Sequence, residues 1–305
     1  MDCRSRWLTL LLVLLLLPFI EAHGQGRIDC NALQSRILAQ SVRYCVMLPP
    51  DYDSATTGRT PRRYPVLYFL HGLGNNEQTL FKGGGWDEVQ ELRRRAEIVD
   101  FLMVAPEGKS SFYINSADGR TRYSDFFIRE FIPYIEMRYS IRRERSARGI
   151  TGVSMGGYGA LRFAFAYSDL FSSVSAQSAA LISDNPQQIE NSHAESPVGG
   201  MLAGTIAAVF GTPVDVPHWN QNSPFVLAKQ NRARIRATGV SIYFNCGRED
   251  EFGFEKGATE LDRQLTTEGI SHEFHLYPGN HSAEYFLTHF AETLKFHSRV
   301  FTSAK

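Results

Sequence analysis

Ser154 stands in Gly152-Val153-Ser154-Met155-Gly156-Gly157, after a strand-like run and before a run with helical spacing. A serine pushed out of so sharp a strand-to-helix turn needs glycine neighbours, because a Cβ there would meet adjacent backbone. A serine hydroxyl is a weak nucleophile until a histidine takes its proton and a carboxylate holds that histidine in the useful tautomer. The string alone is a weak signal, and its placement between strand and helix carries the weight. Asp250, in the turn Gly247-Arg248-Glu249-Asp250 past a strand ending at Cys246, is the candidate acid, with Glu249 and Glu251 as rivals that read otherwise as solvated loop charges. His281, in Pro278-Gly279-Asn280-His281-Ser282, is the candidate base. His272 and His275 fall in or beside the preceding strand, and His289 and His297 fall on the last helix, where a surface position is expected. His71 precedes the serine in the chain and is expected to brace a loop instead. Acyl transfer also needs N–H donors aimed at the developing oxyanion. The backbone groups of Leu73, in the loop after an early strand, and of Met155, at a helix N-terminus, are the candidates.

The elements that must position these groups alternate. Ser35 to Ala39 and Val42 to Leu48 read as two antiparallel strands stopped by Pro49-Pro50. Short apolar runs follow at Val66 to Leu70, Phe101 to Ala105, Arg148 to Val153, Ser172 to Ala176, Val240 to Cys246 and Phe274 to Tyr277. Helical spacing fills the gaps at Trp86 to Arg95, Ser124 to Met137, Met155 to Tyr167, Phe254 to Thr267 and Ala283 to Val300. Strand, helix, strand repetition predicts an α/β fold with a mostly parallel central sheet and helices on both faces. Residues 179–231 break the alternation with Pro186, Pro197, Pro213, Pro217 and Pro224, and are expected to form a cap-like insertion after the fifth parallel-type strand region. Met201 to Phe210 within it suits a short helix. Trp219 and Phe225 are either a substrate wall or aromatic glue that fastens the insertion down.

Arg4 and Arg6 precede an apolar run from Trp7 to Leu17, and polar Glu21 to Gly26 follows at once. This order predicts a signal peptide over residues 1–24 and a secreted or periplasmic protein, and the run is shorter than the roughly 20 residues of a membrane-spanning helix. Residues 25–305 are expected to form a single domain. The 32 Lys plus Arg balance the 32 Asp plus Glu, so nothing points to nucleic acid or an anionic membrane. Arg93 to Arg95 and Arg142 to Arg148 read as solvated helix ends and turns. Of four cysteines, Cys30, Cys45 and Cys246 lie beyond the signal, and Cys30 with Cys45 could pair across the first hairpin. The histidines form no ligand-spaced cluster, so neither a metal nor an organic cofactor is expected.

Taken together, the residues resemble the esterase family of the α/β-hydrolase superfamily that includes esterase D-like S-formylglutathione hydrolases, bacterial feruloyl and acetyl esterases, and mycolyltransferases. The likeness runs through Tyr44 to Pro50 with Tyr52, His71-Gly72-Leu73-Gly74, Pro106-Glu107-Gly108 with Tyr113 and Asn115, Gly152 to Gly159, Cys246-Gly247 with Asp250, and Gly279 with His281. It implies the α/β-hydrolase fold, Ser154 as nucleophile, Asp250 as acid, His281 as base, and Leu73 with Met155 as oxyanion donors. The insertion is longer than in compact feruloyl esterases, so acyl specificity does not transfer. The expected activity is hydrolysis of a small-molecule or polysaccharide carboxylic ester through an acyl-serine intermediate. The alternatives are acyl transfer to a sugar hydroxyl, a glutathione-thioesterase activity that export disfavours, and a non-catalytic binding protein on the same scaffold.

Overall fold

A computed structural model describes residues 26–57, 59–182 and 197–303. The expected signal segment and part of the insertion therefore lie outside the described residues. Eight strands form one sheet in the order β1-β2-β4-β3-β5-β6-β7-β8: β1 (Arg27–Ser35), β2 (Gln40–Leu48), β3 (Val66–Leu70), β4 (Leu102–Pro106), β5 (Arg148–Val153), β6 (Ser173–Gln177), β7 (Ser241–Gly247) and β8 (Glu273–Tyr277). β1 and β2 join antiparallel, and β3 to β8 run parallel. Alternate residues feed opposite faces, as the twofold period of a strand requires. Val66, Tyr68 and Leu70 enter one buried cluster while Leu67 and Phe69 enter the other. Burial on both faces is why these strands read as continuous apolar runs.

The insertion leaves the sheet after β6. β6 is the fourth strand in chain order of the parallel set, not the fifth. Within it, helices run over Pro197–Phe210, Val216–Asn222 and Pro224–Gln230, and a fourth, Arg232–Thr238, leads on to β7. Pro217 and Pro224 sit in the first turn of their helices, where a missing N–H costs nothing and the fixed φ helps. These two prolines, which looked like breaks, are starters. Trp219 and Phe225 are buried in the main core cluster, Trp219 against Phe210 of the same insertion at 4.6 Å, and neither lines the cavities beside Ser154.

Two further sequence expectations change. Arg36 to Ala39 form the turn between β1 and β2 rather than a strand, because the Glu130 carboxylate accepts the N–H groups of Arg36 and Ile37 and the Ser35 hydroxyl, and Ala39 takes a positive φ. Register sets Cys30 opposite Cys45, and the two form a disulfide. Closing a 15-residue loop stabilises a fold by about 3 kcal/mol. Arg148, expected in a solvated turn, is instead buried at the start of β5 and paired with Glu136 at 2.7 Å.

His297 is also buried, against expectation. Its Nδ1 lies 2.7 Å from the Ser173 hydroxyl and its Nε2 lies 2.8 Å from that of Ser175, which itself donates to Thr151. That network seats a neutral imidazole under β5 and β6. Desolvation pushes its pKa down to about 3, against 6.5 in the unfolded chain. The unfolded state therefore binds the extra proton first, so this contribution to stability is complete above pH 6.5 and is lost as pH falls. Urea unfolding should show stability dropping by up to about 1.4 kcal/mol per pH unit between pH 6 and pH 4 from this group. In His297→Gln that part of the slope should vanish; an unchanged slope would contradict the assignment.

Candidate active site

Each candidate group follows the carboxyl end of a parallel strand, and neighbouring strands bring the groups together. The sheet runs β3-β5-β6-β7-β8, so the loops bearing Leu73, Ser154, Ala180, Asp250 and His281 meet along one edge. Clefts of open α/β sheets form at this edge.

Ser154 has φ 55° and ψ −121°, a conformation that costs a non-glycine residue about 1–3 kcal/mol. Its neighbours hold it there. The Ser154 N–H donates to Gln177 O at 2.9 Å, and Ser154 O accepts from Tyr158 and Ala180 at 3.0 Å each. A Cβ on Gly152 would fall 2.3 Å from Gly156 backbone, and one on Gly156 would fall 1.9 Å from Leu70 O. Both glycines are therefore required by contact. The helix that follows, Met155–Ala166, buries all but its last residue between the sheet and the insertion. Tyr158 ties it to the insertion by donating to Asn222 O at 2.9 Å. Met155 is the first residue of that helix, so its N–H has no intrahelical acceptor.

His281 Nδ1 lies 2.7 Å from Asp250 Oδ2, and the Asp250 side chain is fully enclosed. Asp250 Oδ1 accepts the Phe252 N–H at 3.0 Å, which sets the carboxylate's rotation. Phe252, Phe254 and Phe286 surround the imidazole edge-on at 4.9–5.4 Å between centroids. The two rival glutamates touch the histidine loop through its backbone. Glu249 accepts the Gly279 N–H at 2.6 Å and Glu251 accepts the His281 N–H at 2.8 Å. All three consecutive carboxylates thus serve one loop, and only the middle one reaches the ring. Sequence reasoning missed the outer two, because carboxylate-to-backbone bonds across 30 residues leave no local pattern.

His71 is buried, and burial lowers its pKa. Its Nε2 accepts the Gly108 N–H at 2.8 Å, so Nδ1 carries the proton and donates to Gly72 O at 2.8 Å. The Asn75 N–H also reaches Gly72 O, at 3.2 Å. Gly72 C=O and Leu73 N–H belong to one planar trans peptide, so fixing the carbonyl aims the Leu73 N–H to the opposite side. The histidine expected to brace a loop does so, at the peptide that carries the candidate donor Leu73 N–H. Removing an oxyanion donor costs about 10²–10³ in kcat. His71→Ala should approach that loss with little change in KM in steady-state kinetics, whereas a wild-type kcat would show that the peptide holds its orientation without the ring.

Two cavities adjoin Ser154 and His281. One, of about 310 Å³, is walled mainly by Phe69, Leu80, Val153, Phe286, Leu287 and Phe290, with Asn75, Thr79 and Gln177 as its polar points. The other, of about 270 Å³, lies against Met155, Phe112, Phe252 and Phe254 and against Met201 and Leu202 of the insertion. Leu73 lines both. Among the described residues no cluster of His, Cys, Asp or Glu could hold a metal ion, and no helix is long and apolar enough to cross a membrane.

The family model described as "Putative esterase" matches residues 35–297. The chain belongs to this esterase family. An esterase of Mycobacterium tuberculosis (strain ATCC 25618 / H37Rv) is 30% identical over 248 residues, covering 77% of this chain and 51% of that protein. The chain thus spans about half the length of that relative. An acetyl esterase of Caldicellulosiruptor saccharolyticus is 26% identical over 272 residues, covering 87% of this chain and 96% of its own. Among solved structures, a ferulic acid esterase superposes with a TM-score of 0.75 at 27% identity over 91% of this chain and 99% of its own. An S-formylglutathione hydrolase of Staphylococcus aureus, at 20% identity, shares the fold with a TM-score of 0.70 over 90% and 100% of the two chains. The eight-stranded, mostly parallel sheet is the α/β-hydrolase architecture of this esterase family.

Proposed function

We propose that the protein is an exported serine esterase that cleaves carboxylic esters of short or aromatic acids, on a sugar or polysaccharide alcohol, through an acyl-serine intermediate. The observation that carries this reading is the 2.7 Å bond from His281 to the enclosed Asp250, opening on cavities that Ser154 shares. In this mechanism His281 Nε2 takes the Ser154 proton as Oγ attacks the ester carbonyl. Asp250 stabilises the imidazolium that forms. The oxyanion receives the N–H groups of Leu73 and Met155, which are already oriented and pay no reorganisation. His281 then gives its proton to the departing alcohol. A water, activated by the same ring, releases the acid and restores Ser154.

The substrate class draws support from the relatives named as acetyl and ferulic acid esterases. Export draws support from the Cys30–Cys45 disulfide, a bond that persists in oxidising compartments, and from the arginine-led apolar run at Trp7 to Leu17. Hydrolysis of p-nitrophenyl acetate, butyrate and octanoate, methyl ferulate and acetylated xylan tests the activity directly. Turnover of acetyl or feruloyl esters above the octanoate is the expected ranking. No turnover of any ester would overturn the reading.

A further inference from the structure

Glu251 holds a backbone N–H of the histidine loop, and it also does something its partner Glu249 does not. It forms part of the wall of the 270 Å³ cavity beside Ser154, Met155 and His281. Besides Ser154 and His281, the other described lining residues are apolar: Met155, Phe112, Met201, Leu202, Phe252 and Phe254 with Leu73 and Ala180. Apart from His281, Glu251 is the one acidic or basic side chain among the described residues that line it, and no described lysine or arginine there offsets the carboxylate. Among the described residues, the 310 Å³ cavity has no acidic or basic lining residue other than His71 and His281.

From this asymmetry we infer that Glu251 sets charge selectivity: the part of the ester entering the smaller cavity is uncharged, and carboxylate-bearing acyl or leaving groups are turned away. The reason is an apolar wall flanked by a solvent-exposed carboxylate. An anionic substrate group would leave water for apolar side chains beside a carboxylate that repels it, and discrimination by such a like-charge contact is a negative element built into the site. A thioester of an acidic peptide would meet the same barrier. The inference rests on the serine-esterase reading above and narrows it to neutral esters.

Two ester pairs test it. p-Nitrophenyl butyrate and p-nitrophenyl hemisuccinate differ in acyl charge; 4-nitrophenyl butyrate and 3-carboxy-4-nitrophenyl butyrate differ in leaving-group charge. The quantity read is the ratio of kcat/KM for the anionic to the neutral member, in wild type and in Glu251→Gln, whose amide oxygen still accepts the His281 N–H. In one of the pairs the ratio should rise about tenfold in the variant, the scale of one partly screened like-charge contact. The pair that responds identifies which side of the ester occupies the smaller cavity. Without any substitution, the wild-type preference for the neutral member should shrink as salt screens the carboxylate. Ratios unchanged in both pairs, or a preference insensitive to salt, would overturn the inference and leave the esterase reading standing. A wild type inert toward all the esters would overturn both.

Discussion

Asp250→Asn should lower kcat about 10⁴-fold while leaving the fold and KM close to wild type, because the amide presents the wrong hydrogen-bond pattern to His281. Asp250 Oδ2 accepts from Nδ1, so the proton on the ring is held on the Asp250 side and Nε2 is left free to act as base. An asparagine in that place can donate its N–H to Nδ1, which drives the ring proton to Nε2 and removes the base. The surroundings amplify the effect. The carboxylate is enclosed, and three phenylalanine rings pack around the imidazole it holds, so no solvent substitutes for the lost charge at Asp250. Circular dichroism with kcat/KM for p-nitrophenyl acetate separates this from misfolding. Equal losses in Glu249→Gln and Asp250→Asn would show that the acid had been assigned to the wrong carboxylate.

Ser154→Ala should cost more, on the order of 10⁵–10⁶ in kcat, since residues acting as one unit lose nearly the whole covalent route when the nucleophile goes. What remains is binding and oxyanion stabilisation by Leu73 and Met155, worth about 10³–10⁴ over water. The substitution also relieves nothing in the backbone, because alanine is no more at ease at φ 55° than serine. Folding and thermal midpoint should therefore stay near wild type. Persistence of even a tenth of the ester hydrolysis in Ser154→Ala would place the nucleophile elsewhere.

The sheet was legible because its signals are local. Strand runs such as Val66–Leu70 and Arg148–Val153 announce themselves by doubly buried apolar content, and the Phe254–Thr267 helix by its spacing. Ser154, Asp250 and His281 stood out for a related reason. Each lies just past a recognisable strand, and topology alone sends such positions to one edge.

What escaped the sequence is long-range. The β1–β2 turn is shaped by Glu130, some ninety residues away along the chain. His297 looks like an ordinary helix-surface histidine until Ser173 and Ser175 are placed beneath it. The roles of Glu249 and Glu251 depend on backbone N–H groups of a distant loop, and backbone donors have no letter in a sequence. The insertion misled in the opposite sense, since Pro217 and Pro224 start helices where a run of prolines suggested irregular chain.

The central claim is that Ser154 carries the acyl group, and labelling with a fluorophosphonate tests it most directly. Intact-mass and peptide mass spectrometry of the labelled protein should show a single adduct on the peptide bearing Ser154, lost in Ser154→Ala and strongly slowed in Asp250→Asn. An adduct on another residue, or an unlabelled protein that still hydrolyses esters, would contradict the account.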